Sequence, residues 1–288
     1  MATDKTDQTI KLKDGRTLGY AEYGAPKGKP VFYFHGFPSS RLDWRIFDTT
    51  DMIAAQLGAH IIEVDRPGMG LSDFKRGRRL LDWPNDVIEL AETLKFGRFA
   101  VLGISGGGPY AAVCALKIPE RLAATALVCA MGPSEAPGAK DGTAMLLPSK
   151  SPCMRRLLLM LMSTGLRRDP DRFLSQMADA VSRPDRLLLA KPEVKQIFID
   201  SLREAFRSGT RGASWDAVLY KRPWGFRLQD ISMEVHLWHG ELDTQIPISV
   251  GRYVANAIPN CRARFLPDEG HLSLAYNHIQ DILMVLVS

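Results

Sequence analysis

Two stretches of alternating polarity open the chain. Residues 9–13 and 17–23 alternate apolar and polar side chains, which is typical of strands with one buried face. Between them lies Asp14-Gly15, a pair that favours a two-residue hairpin turn because both residue types tolerate left-handed backbone. The pattern therefore predicts an antiparallel pair of strands at the start of the fold.

Continuous apolar runs dominate the rest of the pattern, and such runs are typical of strands buried on both faces. These runs lie at residues 30–34, 60–64, 99–102, 121–130, 234–239 and 261–266. Stretches with helical character follow them, at residues 44–57, 82–96, 109–116, 248–257 and 272–287. Repeated strand–helix units predict the α/β class, with a mostly parallel eight-stranded sheet flanked by helices and joined by right-handed crossovers.

The alternation of strand and helix stops between about residues 132 and 227. This part contains the Leu/Met-rich stretch 154–162, amphipathic stretches and several prolines. A series of helices without strands predicts a helical insertion after the sixth strand. We therefore expect a core made of residues 1–132 and 228–288, and a helical cap or lid at residues 133–227.

The composition is that of an ordinary globular protein, because 45% of the 288 residues are hydrophobic and 24% are charged. The start of the chain is polar, and no apolar run approaches the length of a membrane span. We therefore expect a cytoplasmic protein without a secretory signal. The four cysteines, at positions 114, 129, 153 and 261, lack C-x-x-C spacing, which favours reduced, mostly buried thiols over disulfides or a zinc site.

The charge balance gives weak evidence for any particular partner. The 37 basic and 32 acidic residues leave a formal charge of +5, and basic clusters such as residues 75–79 are separated by apolar, helix-like sequence. A nucleic-acid surface would combine basic side chains with stacking aromatics on one face. We therefore expect no nucleic-acid partner and no membrane span, but a small-molecule substrate, in a protein that is a monomer or a homodimer.

The predicted chemistry centres on Ser105. An apolar strand leads into residues 103–107, which read Gly-Ile-Ser-Gly-Gly, and a helix with small side chains follows from Pro109. Glycines at 103 and 107 supply clearance for a sharp strand-to-helix turn, and the first amides of the helix point toward the serine hydroxyl. A bare Gly-x-Ser-x-Gly match is weak, but this context predicts a nucleophile elbow with Ser105 as the nucleophile.

A serine hydroxyl is a poor nucleophile by itself, so a working elbow requires a histidine base and a carboxylate that orients it. Asp243 follows the strand at 234–239, and His271 follows the next strand along the chain. Serine, aspartate and histidine thus fall in the order expected for this architecture, which predicts a catalytic triad. Glu135, just past the sixth strand, is a less favoured alternative for the acid.

The carbonyl oxygen that becomes negative during acyl transfer requires two preorganised donors. One is the amide that follows the nucleophile, here Gly106, and the other comes from the loop after the first parallel strand. That loop begins with His35, Gly36 and Phe37. We expect Gly36 to let the backbone turn so that the Phe37 N–H points into this oxyanion hole, and His35 to anchor the loop.

With these motifs the chain resembles the α/β-hydrolase superfamily, in its group of small bacterial-type enzymes with a helical cap, over nearly the whole length. The motifs that carry the resemblance are residues 35–38 (His-Gly-Phe-Pro), 65–72 (Asp-Arg-Pro-Gly-Met-Gly-Leu-Ser), 103–107, 239–243 (His-Gly-Glu-Leu-Asp) and 270–271 (Gly-His). The resemblance implies that residues 133–227 form the cap, and that the stretch around Trp224 marks the return to the sheet.

The serine at 105 narrows the activity that this resemblance implies. Relatives that open epoxides or remove halides carry aspartate there, and proline iminopeptidases usually have Gly-Gly-Ser-Trp-Gly, from which Ile104 and Gly106 depart. The leading interpretation is a carboxylesterase-like serine hydrolase that cleaves a carboxylic ester or related acyl bond through an acyl-enzyme. The same triad would also serve a carbon–carbon bond hydrolase, an aminopeptidase, or a small-molecule receptor that cleaves its ligand slowly.

The substrate pocket is expected to be largely apolar because of residues 157–162 in the insertion. Six consecutive apolar side chains cannot all face one side of a helix, but some should face inward. Met160 and Met162 are the predicted contacts, since unbranched methionines adapt to different hydrocarbon shapes, and Trp224 is predicted to join them. The chemistry requires neither a cofactor nor a metal.

Overall fold

The computed structural model describes residues 5–46, 48–139, 141 and 152–288. An eight-stranded sheet runs through these residues, with the strand order β1-β2-β4-β3-β5-β6-β7-β8. The strands are β1 (Gln8–Lys11), β2 (Thr17–Gly24), β3 (Lys29–Phe34), β4 (Ala59–Val64), β5 (Phe99–Ile104), β6 (Leu122–Val128), β7 (Val235–Gly240) and β8 (Cys261–Leu266). Each corresponds to a strand that the hydrophobic pattern predicts.

The direction of the strands follows the prediction as well. β1 pairs antiparallel with β2, and β2 pairs antiparallel with β4, whereas every pair from β4 to β8 is parallel. The hairpin turn between β1 and β2 places Gly15 at φ +85°, a conformation that favours glycine. The sheet is therefore mostly parallel, and the carboxyl ends of its central strands meet at one edge.

Helices cover both faces of the sheet. They are α1 (Asp48–Gln56), α2 (Trp83–Thr93), α3 (Gly108–Lys117), α9 (Ile248–Ala257) and α10 (His271–Leu286). Apolar side chains of α1 and α10 pack on one face, with Tyr33 and Leu102, while those of α2, α3 and α9 pack on the other, with Phe34 and Val101. Neighbouring strand residues thus point to opposite cores, as the period of two requires.

The helix predicted over residues 44–57 is divided. A short 3-10 helix, Asp43–Ile46, precedes α1. It buries Asp43, Trp44 and Ile46, and α1 then begins at Asp48. The sequence pattern did not separate the two because both place apolar residues three or four positions apart.

Five helices lie between β6 and β7 in the described part of this region: α4 (Pro152–Arg168), α5 (Pro170–Asp179), α6 (Arg183–Leu189), α7 (Pro192–Ala205) and α8 (Arg211–Lys221). We call α4–α8 the helical insertion. Its own apolar core includes Leu159, Leu174, Ile199 and Phe206, and it joins the sheet domain through Met69. None of the helices in the ranges described is long and apolar enough to cross a lipid bilayer.

The four cysteines are all described, and all four are free thiols. Cys114 and Cys129 are buried, Cys261 is half-buried and Cys153 is exposed. The expectation of unpaired thiols is therefore confirmed. Cys114 in α3 and Cys129 just after β6 are buried as expected, whereas Cys153 at the start of α4 is exposed.

Candidate active site

Ser105 occupies a sharp turn between β5 and α3. Its φ angle is +54°, in the left-handed region that non-glycine residues rarely adopt. The turn requires small neighbours, because a Cβ on Gly107 would lie 1.9 Å from the carbonyl oxygen of Phe34, and one on Gly103 would lie 2.6 Å from that of Gly107. This geometry is that of a nucleophile elbow, with the serine held at the carboxyl edge of the sheet.

Asp243 and His271 lie together at the same edge, in the loops after β7 and β8. The Nδ1 atom of His271 is 2.7 Å from Oδ2 of Asp243, and both side chains are buried. The other oxygen of Asp243 accepts hydrogen bonds of 2.8 Å from the backbone amides of Gln245 and Ile246. The carboxylate is thus fixed by its own loop and directed at the imidazole.

Asp243 and His271 each stabilise the charged form of the other. Burial raises the pKa of a carboxyl group, but the neighbouring His271 overrides this effect and the pKa of Asp243 is lowered. Burial alone would lower the pKa of His271, yet the Asp243 carboxylate raises it above its ordinary value. With Nδ1 bound to the carboxylate, Nε2 is the nitrogen left to exchange a proton.

Ser105 and His271 border one cavity. No hydrogen bond joins the Ser105 hydroxyl to the His271 ring among the described residues. Catalytic hydrogen bonds often tighten only in the complex with substrate. The structure therefore brings the three predicted triad residues to one site, with His271 and Asp243 hydrogen-bonded to each other.

The alternative acid, Glu135, is not buried as Asp243 is. Glu135 is exposed, and its carboxylate accepts a hydrogen bond from the neighbouring Ser134.

His239 is buried next to Asp243, and its Nε2 lies 2.8 Å from the carbonyl oxygen of Ile246. Burial lowers the pKa of His239, so its neutral ring supports the loop that carries Asp243.

The predicted oxyanion donors are close to each other and to the nucleophile. A Cβ on Gly106 would lie 3.3 Å from the backbone nitrogen of Phe37, and one on Gly36 would lie 3.8 Å from the Cβ of Ser105. His35 is buried, and its Nδ1 lies 2.9 Å from the carbonyl oxygen of Gly36. Its Nε2 lies 3.4 Å from the backbone nitrogen of Arg66, so the ring connects this loop to the loop after β4.

A buried ionic network that the sequence did not predict supports this loop. The guanidinium of Arg66 donates to the carbonyl oxygens of His35 and Gly36 and, from Nε at 2.7 Å, to Asp216 of α8. Asp216 also accepts from Arg78 and from the hydroxyl of Tyr110. Burial would raise the pKa of Asp216, but Arg78 and Arg66 lower it to about 2.

A second contact reaches the elbow from the same helix. The hydroxyl of Tyr220, on α8, donates a 2.9 Å hydrogen bond to the carbonyl oxygen of Gly106, and its ring packs edge-on against Phe37 at 5.3 Å between centroids. The helical insertion therefore contacts both loops that carry the predicted oxyanion donors. These contacts join residues far apart in sequence, and no local motif announces them.

The cavity beside Ser105 is largely apolar. The insertion contributes seven apolar side chains to its walls: Met162, Met177, Leu188, Leu189, Val194, Phe198 and Leu202. The sheet side adds Asp43, whose Oδ2 accepts a 2.9 Å hydrogen bond from the Tyr33 hydroxyl. Burial raises the pKa of Asp43, and no lysine or arginine lines the cavity within the described ranges.

Of the three predicted pocket residues, one lines the cavity and two do not. Met162 lines the cavity, but Met160 does not, since 51% of its surface is exposed. The two are two positions apart on α4 and therefore point about 200° apart around the helix axis. Trp224 is buried in the sheet-domain core beside Phe226 and is also absent from the cavity wall, so the prediction is wrong for Met160 and Trp224.

One group of potential metal ligands occurs in the described part of the chain. The donor atoms of Cys129, Asp243 and His271 lie within 4.8 Å of one another. Burial raises the pKa of the Cys129 thiol well above its ordinary value, so the sulfur stays protonated, and Nδ1 of His271 is occupied by Asp243. Two of the three donor residues, Asp243 and His271, are thus hydrogen-bonded to each other.

The comparisons with known proteins agree with the fold. A family model described as the alpha/beta hydrolase fold matches residues 29–277. A non-heme chloroperoxidase of Streptomyces lividans is 34% identical over 127 residues, which cover 43% of this chain and 45% of that protein. The match therefore spans less than half of that relative's length.

Solved structures extend the likeness to the whole chain. A hydrolase of Pseudomonas aeruginosa PA01 superposes with a TM-score of 0.71 and 20% identity, covering 100% of both chains. An esterase of Rhodococcus sp. ECU1013 has a TM-score of 0.70 and 20% identity, covering 98% of this chain and 99% of its own. At this level of identity the likeness concerns the fold.

Proposed function

The chain belongs to the alpha/beta hydrolase fold family, and from that premise we propose that it is a serine hydrolase that cleaves a carboxylic ester or related acyl bond. The observation that carries the proposal is the hydrogen bond between His271 and Asp243, at 2.7 Å, beside a cavity that Ser105 also borders. A strained serine, an oriented imidazole and a buried carboxylate are the parts that acyl transfer requires.

In the first half of the proposed reaction, the Ser105 hydroxyl attacks the carbonyl carbon of the substrate while Nε2 of His271 takes its proton. Asp243 keeps the proton of Nδ1 in place and stabilises the imidazolium that forms. The amides of Phe37 and Gly106 donate to the negative oxygen of the tetrahedral intermediate. The alcohol then leaves with the proton from His271, and an acyl-enzyme on Ser105 remains.

In the second half, His271 takes a proton from a water molecule, and the hydroxyl oxygen attacks the acyl carbon. The intermediate collapses, the proton returns to Ser105, and the carboxylic acid is released. This sequence consumes water and needs no cofactor, because the protein supplies the nucleophile, the base and the oxyanion donors.

We propose further that the helical insertion acts as a cap over the cavity and that the substrate is neutral and apolar. The insertion provides seven of the apolar side chains that line the cavity, and the described lining holds no lysine or arginine that would pair with a negatively charged substrate. A carboxylic ester with a hydrocarbon acyl group meets these conditions. A cytoplasmic location, and a monomeric or homodimeric state, stay predictions.

The test is covalent labelling together with hydrolysis of p-nitrophenyl esters. A fluorophosphonate should label the wild type at the peptide that contains Ser105, and Ser105→Ala should neither label nor hydrolyse. Ser175→Ala, an exposed serine of α5, is the matched control and should do both. Labelling at another residue, or hydrolysis that Ser105→Ala leaves intact, would refute the proposal; stoichiometric cleavage without turnover would instead favour a receptor.

A further inference from the structure

Asp185, in the helical insertion, is bound to the start of the helix that carries His271. Its buried carboxylate accepts hydrogen bonds from the backbone amides of His271 at 2.8 Å, Leu272 at 2.9 Å and Ser273 at 2.9 Å. These are the first three residues of α10. One side chain of the insertion thus holds the backbone of the proposed catalytic base.

The arrangement replaces an ordinary helix cap. The first amides of a helix have no partner within the helix and are commonly capped by the side chain of the preceding residue. That residue is Gly270, which has no side chain, and a Cβ on it would lie 2.6 Å from Cγ of Asp185. Glycine at 270 leaves the space that Asp185 fills from another part of the chain.

In all four of its hydrogen bonds, the Asp185 carboxylate is the acceptor. Oδ2 accepts from the His271 amide and from the hydroxyl of Ser182 at 2.9 Å, and Oδ1 accepts from the Leu272 and Ser273 amides. A carboxylate satisfies every one of these donors. An asparagine would turn its NH₂ group either toward the Leu272 and Ser273 amides or toward the His271 amide and the Ser182 hydroxyl, which can accept; at least one backbone bond is therefore lost in either orientation.

We propose that Asp185 is a positioning residue for catalysis: it fixes the backbone at His271 so that the imidazole stays aimed at Ser105. The inference rests on the proposed function, in which His271 is the general base. A group that must meet a proton within hydrogen-bond reach tolerates little displacement. The carboxylate also lies at the amino end of α10, where a negative charge is favoured by the helix dipole.

The same short helix also contacts the cavity. Asp185 lies near the beginning of α6, and Leu188 and Leu189, at its end, line the wall beside Ser105. Because only about one helical turn separates these residues, a displacement of the cavity wall moves the carboxylate as well. The geometry therefore connects the part of the insertion that meets the substrate to the histidine that performs the chemistry.

The experiment compares Asp185→Asn with the wild type. We expect kcat for a p-nitrophenyl ester to fall by about 10- to 100-fold, with KM changed by less than about twofold, because the base is misplaced while the pocket remains. Labelling by a fluorophosphonate should slow in proportion. Asp179→Asn, an exposed aspartate of α5, makes the same change in net charge and should match the wild type.

A second readout reports on the His271 ring directly. Besides Asp185, the charged or titratable groups around this ring are Asp243, Asp43 and His239, and Cys129 lies beside it. Loss of one negative charge should lower the pKa of His271, measured by NMR titration of the ring with His271→Asn used for assignment. The acid limb of kcat/KM against pH should move to lower pH by the same amount.

These readouts separate the inference from the proposed function. A wild-type kcat and an unmoved His271 pKa in Asp185→Asn would overturn the inference while leaving a serine hydrolase. A wild type that neither labels nor hydrolyses would overturn the function, and the NMR titration would still decide whether Asp185 acts on the ring. If Asp185→Asn does not fold, Ser182→Ala provides the test, because it removes one hydrogen bond to the Asp185 carboxylate. We expect its kcat to fall about threefold at constant KM. An unchanged kcat would overturn the inference.

Discussion

The guanidinium of Arg66 donates a 2.7 Å hydrogen bond from Nη2 to the carbonyl oxygen of Gly36. That oxygen belongs to the same peptide unit as the N–H of Phe37. Because a peptide unit is planar, fixing its oxygen also fixes the direction of its N–H. Arg66 therefore orients one of the two proposed oxyanion donors, and its positive charge polarises that peptide in the direction that strengthens the donor.

Replacing Arg66 with lysine tests this relationship. A lysine cannot donate to two carbonyl oxygens and to Asp216 with the geometry of a guanidinium. We expect kcat for a p-nitrophenyl ester to fall by about 10²-fold, comparable to the loss of one oxyanion donor, with KM little changed. A trifluoromethyl ketone, which forms an oxyanion on the serine, should bind more weakly by a similar factor.

Arg78→Lys is the matched control for Arg66→Lys. Arg78 is also buried and also bound to Asp216, but its other side-chain partner is the hydroxyl of Tyr110 and not the loop of Phe37. Affinity for the trifluoromethyl ketone should therefore remain close to wild type. If both variants lose that affinity equally, Arg66 supports the fold and not the oxyanion donor.

Removal of the carboxylate that faces His271 gives a second prediction. Asp243→Asn leaves the imidazole without the partner that holds its tautomer, so turnover should fall by on the order of 10⁴-fold, as in other serine triads. Steady-state hydrolysis of a p-nitrophenyl ester measures the loss. Glu135→Gln is the comparison, and a greater loss from that exposed residue in two folded variants would show that the acid is misassigned.

The dependence of activity on pH follows from the raised pKa of His271. The general base acts only when neutral, so kcat/KM should fall as pH decreases through this pKa. Since the Asp243 carboxylate raises the pKa above the ordinary value of 6.5, the midpoint of the acid limb should lie above that pH. A profile that remains flat well below pH 6.5 would mean that His271 is not the base.

The sheet, and the positions of the three residues proposed as a triad, could be predicted from the sequence because both follow from local patterns. A buried parallel strand shows as a continuous apolar run, and the residues after each run are brought to one edge by the strand direction alone. Ser105, Asp243 and His271 all occupy such positions. Their placement depended on chain order and not on the details of helix packing.

The supporting contacts could not be predicted in this way. Asp185 meets the amide of His271 across 86 sequence positions, and Arg66 meets Asp216 across 150. Both contacts depend on how the helical insertion rests on the sheet, and an aspartate on a helix carries no local sign of a distant partner. The error at Met160 has the same origin, because the hydrophobic run at 157–162 identifies a helix without telling which of its faces turns inward.

Met162 therefore provides the sharpest test of the proposed substrate. Each methylene buried against an apolar wall contributes about 0.8 kcal/mol, so kcat/KM toward p-nitrophenyl esters should rise about fourfold per added carbon until the cavity is full, and then fall. Met162→Ala enlarges the cavity and should move the optimum to a longer acyl chain, with fluorophosphonate labelling of Ser105 intact. Met160→Ala, two residues away on the exposed face of α4, should leave the optimum unchanged. A flat chain-length profile, or equal shifts in both variants, would contradict an apolar acyl site beneath the insertion.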